Sequence, residues 1–498
     1  MKTLRIPRLI FLLLFCIAGM FSFRPSDGSA YIESAYIEKV NNTLKGWQSD
    51  PGFTHASWGF CMISLADGKQ VVGFNEQKSL IPASALKAVT TATALDVLGP
   101  EYIFTTKLSY SGTLSDDSTL NGDIYIEGGG DPTLGYERVT GSQSLSSLMA
   151  KWALAIKSKG IKKITGSIVG DASYLDGDFP VATWGWNDIG NYFGAAPSGL
   201  AFHENQYTLF LQSGKAIGSP VKVLRTYPDA HIVFTNHLTT AATGSGDQAY
   251  IFGAPFSNER WLKGTIPLSS KSFAIEGSLP EPALTCAREL KSYLLKKGIV
   301  ITGDATTMRL RALSGVFTKA SRNIFHTTSS PAMNDVTKTT NFQSINLYAE
   351  HLLSEIGKKQ SGTGSTEEGL QALTNYWKIK GIDFKGVTIH DGSGLSRTNL
   401  VTPFFLATIV YSMRDNSSFI NSLPRAGIEG TLKNVCDGEL AHGKLWAKSG
   451  TMEGVRSYTG YVTNTQGQKF AFALIINNFD QLYVVQKKIE NLFNTLAG

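Results

Sequence analysis

Ser84 and Lys87 are the residues whose types and spacing most directly suggest nucleophilic chemistry in this chain. Positions three apart share one face of a helix, so both side chains would point the same way from a predicted helix over residues 84–98. A serine hydroxyl is a weak nucleophile unless a base takes its proton. A lysine amine in an apolar site loses proton affinity and can be that base. The alternative is a serine in a first helical turn and a lysine that reaches water.

Two later stretches could bring further polar groups to the same site. Ser344, Ile345 and Asn346 stand in a region of helical pattern that resumes near residue 332. Lys448, Ser449 and Gly450 lie near the end of a predicted strand over residues 444–451. Short motifs of this kind occur by chance in long chains, so only their joint occurrence points to a function.

The elements that would position these residues come from both ends of the chain. Apolar periodicity and turn residues predict strands over 55–65 and 70–74, joined at Asp67-Gly68, and strands over 444–451, 457–463 and 469–476. The same criteria predict helices over 35–47, 84–98, 366–380, 402–414 and 481–497. We therefore expect an α+β fold in which residues 31–100 and 332–498 build one antiparallel sheet with helices on both faces.

The middle of the chain, residues 101–331, has a different character. It contains short β-type runs rich in Gly, Ser and Thr, with helices predicted over 145–159 and 284–297. Residues 299–310 are predicted to return to β structure. The stretch Gly128-Gly129-Gly130 lacks the spacing of a phosphate-binding loop and predicts a sharp turn. We expect residues 101–331 to be an inserted α+β region of two small subdomains.

The N-terminus has the pattern of a secretory signal peptide. Lys2, Arg5 and Arg8 precede an apolar run over residues 9–23 that is short for a membrane span. Cleavage falls after residue 23 or as late as residue 30. The formal charge of +6 becomes about +3 (6 − 3) without those three residues, which is too small to argue for nucleic acid. The sequence predicts an exported protein of the bacterial periplasm or cell envelope, with at most peripheral membrane contact.

The sequence contains no metal-binding motif and few cysteines. The eight histidines are scattered and no His-Glu-x-x-His occurs, so neither a metal site nor a cofactor is predicted. Cys61, Cys286 and Cys436 allow at most one internal disulfide, whose pairing the sequence leaves open. The apolar stripe of the last helix could lie on a membrane surface or pack on the sheet.

The three motifs stand in the order Ser84-Ala85-Leu86-Lys87, Ser344-Ile345-Asn346, Lys448-Ser449-Gly450. This order resembles the Ser-x-x-Lys, Ser-x-Asn, Lys-Thr-Gly signature of penicillin-binding proteins and serine β-lactamases. The gap of 260 residues between Ser84 and Ser344 is similar to that of class C low-molecular-mass penicillin-binding proteins, the S13-type D-alanyl-D-alanine carboxypeptidase/endopeptidases, whose transpeptidase-like domain carries large insertions. Residues 121–134 and 391–397 resemble the same family, so the resemblance covers nearly the whole mature chain.

The resemblance implies a role for each motif residue. Ser84 would attack the carbonyl of a D-Ala-D-Ala peptide bond and Lys87 would accept its proton. Ser344 and Lys448 would pass a proton to the leaving amine, and Asn346 would hold Lys87 and the substrate amide. Backbone N–H groups of Ser84 and Thr451 would form the oxyanion hole.

The substrate-binding residues also follow from the resemblance. Ser449, Gly450 and Thr451 would bind the terminal carboxylate. Asp188, Trp186 and Met452, with Arg397 close by, would line a pocket for the amine of the stem peptide's side chain. The expected partners are peptidoglycan peptides and β-lactam antibiotics as covalent inhibitors.

Two positions depart from the family pattern. Ile345 stands where the family often has Asp, and Ser449 stands where it has Thr, which keeps the hydroxyl and loses one methyl group. Two other functions remain open at this stage: a serine β-lactamase, for which no deacylating base can be assigned, and a non-catalytic peptidoglycan-binding protein on the same scaffold.

Overall fold

The computed structural model describes residues 27–176, 180–316 and 321–498. The predicted signal peptide, residues 1–23, lies outside the described residues. Within the described ranges no helix is both long enough and apolar enough to cross a bilayer.

The described residues form short strands and mostly short helices. The helices are α1 (Asp27–Gln48), α2 (Lys87–Val97), α3 (Leu145–Ser158), α4 (Trp186–Ile189), α5 (Pro282–Lys296), α6 (Met308–Leu313), α7 (Met333–Gln343), α8 (Asn346–Ser361), α9 (Thr366–Ile379), α10 (Pro403–Ser412), α11 (Ser417–Asn421) and α12 (Leu482–Ala497). The strands are β1 (Ser57–Ser64), β2 (Gln70–Phe74), β3 (Thr105–Tyr110), β4 (Thr113–Leu114), β5 (Thr119–Asn121), β6 (Ile124–Glu127), β7 (Lys163–Ile164), β8 (Ile168–Asp171), β9 (Gln206–Gln212), β10 (Lys222–Tyr227), β11 (Val233–Ala241), β12 (Gln248–Phe252), β13 (Glu259–Pro267), β14 (Phe273–Ser278), β15 (Val300–Ile301), β16 (Ala305–Thr307), β17 (Asn323–Ser329), β18 (Leu445–Met452), β19 (Val455–Thr463) and β20 (Lys469–Asn477).

The sheet that carries the third motif combines strands from both ends of the chain. Its order is β18-β19-β20-β1-β2, and every neighbouring pair is antiparallel. Strand β18, which holds Lys448, Ser449 and Gly450, lies at one edge. The predicted antiparallel sheet is therefore confirmed, and residues 424–426 bridge only the first half of the β18 edge, at Leu445–Ala447.

Alternating residues of β20 explain why helices cover both faces of this sheet. Phe472 and Leu474 pack into a core shared with α1 and α12, whereas Ala473 and Ile475 pack into a core shared with α2, α8 and α10. A period of two in a strand sends successive side chains to opposite faces, and here both sets are apolar. The α+β fold class is thus confirmed. The stripe of α12 packs on the sheet, since Val485, Ile489 and Leu492 are buried there.

Strands β3 to β17 form separate sheets with their own cores. One sheet has the order β16-β8-β6-β3-β17 and packs with α3 and α5 around Trp152 and Leu290. Two three-stranded sheets, β10-β9-β14 and β11-β13-β12, enclose a second core around Tyr207 and Leu262.

The structure corrects two predictions in this region. The β-type run over residues 299–310 ends early, because Thr307 caps α6 by accepting a hydrogen bond from the Leu310 N–H. Strand β17 was not predicted, and it pairs with β3 more than 200 residues earlier. Cys61, Cys286 and Cys436 are buried and free, so no disulfide joins them.

Candidate active site

Ser84 lies in a 3-10 turn, Ala83–Leu86, that leads directly into α2. Ala83 has a φ of 45°, in the left-handed region that residues with a Cβ seldom occupy. The turn is held from the sheet, because the Ser457 hydroxyl donates a hydrogen bond to the Pro82 carbonyl. A strained turn with a fixed anchor presents the Ser84 hydroxyl at the start of a buried helix.

Strand β18 passes directly over this turn at Gly450. A Cβ at that position would lie 2.6 Å from the Pro82 carbonyl oxygen and 2.8 Å from the Ala85 nitrogen. These distances are shorter than real carbon contacts, so only glycine lets the edge strand approach the turn so closely. The first and third motifs are thereby brought together.

Lys87 is fully buried, and its amine contacts three oxygen atoms. The Nζ atom lies 2.8 Å from Ser84 Oγ, 2.6 Å from Asn346 Oδ1 and 2.7 Å from the Ser393 carbonyl oxygen. Burial lowers the pKa of Lys87 from 10.5 to about 7, against the opposing influence of two buried carboxylates. A substantial fraction of Lys87 is therefore neutral at neutral pH.

The hydrogen-bond partners determine where the lone pair of neutral Lys87 points. Asn346 Nδ2 donates to the Phe193 carbonyl at 2.8 Å, which turns Asn346 Oδ1 toward Lys87. Asn346 Oδ1 and the Ser393 carbonyl can only accept, so they take the two N–H groups of the neutral amine. The lone pair is left facing the Ser84 hydroxyl.

Two buried carboxylates lie beneath Lys87. Glu350 accepts hydrogen bonds from the backbone N–H groups of Gly392 and Ser393, at 3.0 and 2.8 Å. Asp391 accepts from Trp184 Nε1 at 2.8 Å and from three further N–H donors of its own loop. Burial and the charge of Asp391 raise the pKa of Glu350. These carboxylates order the loop whose carbonyl binds Lys87.

The second and third motifs meet at Ser344 and Lys448. Ser344 has a left-handed backbone, with a φ of 61°, between α7 and α8. Lys448 Nζ lies 2.9 Å from Ser344 Oγ and 2.5 Å from the Ser449 carbonyl oxygen. Burial, and then the charge of Lys87, lower the pKa of Lys448 well below its usual range. This pair can carry a proton beside Ser84.

A cleft of about 400 Å³ opens along the edge of β18. Ser84, Ser344, Ser449 and Thr451 line it. The Ser449 hydroxyl donates to Thr431 Oγ1 at 2.8 Å, which fixes its direction in the cleft. The cleft therefore joins a serine nucleophile, a proton carrier and a row of hydroxyl groups.

The four residues that are predicted to bind a side-chain amine lie outside the lining of this cleft. They are Asp188, Trp186, Arg397 and Met452. Asp188, on α4, is half-buried; burial raises its pKa and the charge of Arg397 opposes that rise. Arg397 also reaches the residue after Met452, with a guanidinium nitrogen 3.4 Å from the Glu453 carbonyl oxygen. Arg397 thus links α4 to the end of β18.

Trp186 is mostly exposed on the same short helix. Its ring packs against Phe252 at 4.9 Å and Trp261 at 6.3 Å between centroids. The exposed fraction of Trp186 is 57%, so one side of the ring remains open to a ligand.

The sequence prediction did not assign roles to several residues of the site. Glu350, Asp391 and Ser393 position Lys87, and Thr431 positions Ser449. The sequence predicts a glycine-rich polar loop over residues 391–397. Nothing in that sequence indicates that the Ser393 carbonyl contacts Lys87. The available signal was the polar, glycine-rich run itself, which follows the apolar residues Val387 and Ile389.

The chain is similar to known proteins over most of its length. The model of the D-Ala-D-Ala carboxypeptidase 3 (S13) family matches residues 40–496. The chain is 26% identical over 465 residues to a D-alanyl-D-alanine carboxypeptidase of Actinomadura sp. (strain R39), covering 91% of this chain and 83% of that protein. It is 25% identical to D-alanyl-D-alanine carboxypeptidase DacB of Haemophilus influenzae, covering 84% and 85% of the two chains.

A solved structure shares the fold. The crystal structure of penicillin-binding protein 4 from Haemophilus influenzae superposes with a TM-score of 0.77 at 24% identity, covering 92% of this chain and 99% of that one. Because the family model spans nearly the entire described chain, the protein belongs to the D-Ala-D-Ala carboxypeptidase 3 (S13) family.

Proposed function

We propose that the protein is a serine-type D-Ala-D-Ala carboxypeptidase/endopeptidase that acts on peptidoglycan peptides through an acyl-enzyme on Ser84. The observation that carries the proposal is the position of Lys87. Its amine lies 2.8 Å from Ser84 Oγ, and its other two contacts are both acceptors. A fully buried amine with a pKa of about 7 is matched to proton abstraction at neutral pH.

In acylation, Ser84 Oγ forms a bond to the carbonyl carbon of the penultimate D-Ala while its proton passes to Lys87 Nζ. The carbonyl oxygen becomes an oxyanion, which the backbone N–H groups of Ser84 and Thr451 stabilise. Such donors contribute roughly 10²–10³ in rate. Asn346 keeps Lys87 in place and receives the substrate amide.

Collapse of this intermediate breaks the peptide bond. The proton that Lys87 accepted passes by way of Lys448 and the Ser344 hydroxyl, which lie 2.9 Å apart, to the nitrogen of the leaving amine, so Lys87 is neutral again. Water then attacks the Ser84 ester, and Lys87 takes the proton of the water and returns it to Ser84 Oγ as the ester bond breaks. The carboxypeptidase reaction releases D-Ala, and the endopeptidase reaction separates a cross-linked peptide.

We assign substrate recognition to the edge strand β18 and to a second group of residues, which we call the outer wall. The outer wall consists of Asp188, Trp186, Arg397 and Met452. Ser449, Gly450 and Thr451 receive the carboxylate next to the scissile bond. Asp188 binds a free amine of the stem peptide, beside the open face of Trp186. Arg397 and Met452 complete that wall. The closeness of Arg397 to both Asp188 and the end of β18 supports this grouping.

We infer that residues 31–100 and 332–498 form the penicillin-binding domain and that residues 101–331 form an insertion of two subdomains. The separate cores around Trp152 and Tyr207 support the division of the insertion. We propose export to the bacterial periplasm or cell envelope, with peptidoglycan peptides and β-lactam antibiotics as partners. A penicillin-sensitive carboxypeptidase A of Dictyostelium discoideum, 25% identical over 493 residues, supports the β-lactam partner.

Mass spectrometry after incubation with benzylpenicillin tests the proposal. We expect a stable adduct of one penicillin molecule on Ser84, together with D-Ala release from a peptide that ends in D-Ala-D-Ala. Rapid hydrolysis of benzylpenicillin without peptide cleavage would identify a β-lactamase instead. Absence of both reactions would leave a non-catalytic binding protein.

A further inference from the structure

We propose that Arg456 binds the carboxylate of the residue that follows the scissile bond and so makes the enzyme selective for a free carboxylate at that place. The proposal deepens the proposed function and rests on it. The ligand class is a carboxylate, either the C-terminus of D-Ala or the free α-carboxylate beside the amine that is released from a cross-link.

The register of the sheet puts Arg456 next to the hydroxyl groups of the cleft. In the β18–β19 pair, Arg456 is the partner of Thr451 and Tyr458 is the partner of Ser449. Directly paired residues of antiparallel strands project from the same face. Arg456 lines the same cleft as Ser84 and Thr451. Its guanidinium group is therefore within the region that a ligand bound along β18 must occupy.

The charge of Arg456 is available to a ligand. Within the described residues its side chain makes a hydrogen bond to the Val455 carbonyl at 3.0 Å, and no carboxylate lies within ion-pair distance. Glu490 also lines the cleft, but its carboxylate is engaged by Lys487 and Gln486, each at 3.1 Å. Arg456 is half-buried, so a carboxylate bound to it would be shielded from water.

The two lysines of the cleft are poor substitutes for this cation. Lys87 and Lys448 are both fully buried beside each other, and burial favours their neutral forms. Burial lowers the pKa of Arg456 as well, but the ordinary pKa of an arginine is so high that the group stays charged at neutral pH, and its planar fork matches a carboxylate with two parallel hydrogen bonds. Arg456 thus supplies permanent positive charge while Lys87 and Lys448 remain free to exchange protons.

The experiment compares substrates that differ only in this carboxylate. A peptide ending in D-Ala-D-Ala is assayed as the free acid and as its C-terminal amide. In parallel, acylation of Ser84 is timed with benzylpenicillin and with its methyl ester, whose strained ring reacts without the carboxylate. Wild type, Arg456→Gln and Arg456→Lys are measured, with Arg225→Gln as a control that removes an exposed arginine stacked on Phe210.

We expect Arg456→Gln to lower kcat/KM on the free acid and the acylation rate with benzylpenicillin by about tenfold to 100-fold. The amide and the methyl ester should react as they do with wild type. Arg456→Lys should fall between the two, because it keeps the charge and loses the fork. Arg225→Gln should change neither ratio.

Two results would overturn the assignment of Arg456. Equal losses on both members of each pair would mean that Arg456 only supports the strand, and unchanged rates on the acids would mean that the carboxylate is bound elsewhere. Failure of the proposed function is distinguishable, because wild type would then label Ser84 with neither β-lactam.

Discussion

The floor of the cleft and the proposed amine-binding wall outside it hold their polar groups in different ways. On the floor, Lys87 is fully buried and each hydrogen of its neutral amine has a fixed acceptor. On the wall, Asp188 is half-buried, and its charged neighbour Arg397 is also half-exposed. The floor comes from α2, α8 and β18, near the two ends of the chain, whereas α4 of the wall comes from its middle.

In the proposed function, the residues of the floor carry out the reaction and the residues of the wall select the substrate. Proton transfer needs donor and acceptor within hydrogen-bond reach, so the floor must be rigid before substrate arrives. An exposed carboxylate interacts weakly with an amine until the ligand excludes water from both. Damage to the floor should therefore abolish reaction with every substrate, whereas damage to the wall should affect only ligands that reach it.

Ser84→Ala removes the nucleophile and tests the floor most severely. We expect kcat to fall by roughly 10⁴-fold or more and penicillin labelling to disappear, because no other group occupies the position of Oγ. Intact-protein mass spectrometry and thermal melting measure labelling and folding. Labelling that persists on another serine of a folded variant would refute the assignment.

Lys87→Met keeps a long apolar side chain at the buried position and removes the base. A positioned general base contributes about 10²–10⁴-fold, so acylation by benzylpenicillin should slow by that factor. Stopped-flow labelling gives the rate, and Lys380→Met, which alters a lysine paired with Asp96 on the surface, is the control. A normal acylation rate in a folded Lys87→Met variant would contradict its role as base.

Asp188→Ala tests the wall. We expect kcat/KM to fall roughly 30-fold on peptides with a free side-chain amine, since truncating one partner of a shielded charge pair costs about 2 kcal/mol. Benzylpenicillin lacks that amine, so its acylation of Ser84 should hardly change. Equal losses on both compounds would assign Asp188 to the fold, and no loss on the peptide would show that the amine is bound elsewhere.

The pH dependence separates the two regions without a change of residue. Lys87 acts as a base only when neutral, so acylation by benzylpenicillin should rise with pH through about 7 and then level off. Below that value the rate should fall by about tenfold per pH unit. On amine-bearing peptides the acidic limb should be steeper, since burial raises the pKa of Asp188 and protonation removes its charge. A flat penicillin profile between pH 5 and 9 would exclude Lys87 as the titrating base.

The sequence predicted the sheet and the three motifs well because their signals are local. Strands β1, β2 and β20 follow apolar runs bounded by turn residues, and α2 follows a run of helix formers stopped by Gly99-Pro100. The order of the three motifs along the chain resembles a known family signature. That resemblance predicted that Ser84, Ser344 and Lys448 lie in one site.

The features that could not be predicted from the sequence depend on contacts between residues that are far apart along the chain. Strand β17 has little pattern of its own and is defined by pairing with β3. The acceptor for Lys87 is the backbone carbonyl of Ser393, and a carbonyl has no residue signature. Arg456 lies just before the predicted strand over residues 457–463, and only the observed register of β18 and β19 places it beside Thr451.

The pairing of β1 with β20 has a consequence for biogenesis. Residues 57–64 and 469–477 are neighbours in the sheet but are separated by about 400 residues of chain. Ribosomes add about 5–20 residues per second, so β1 waits roughly 20–80 s for its partner after it is made. Nascent chains therefore lack the strand that bears Lys448 for most of their synthesis. Catalysis at Ser84 cannot begin until β18, β19 and β20 have been made and the sheet with β1 is complete.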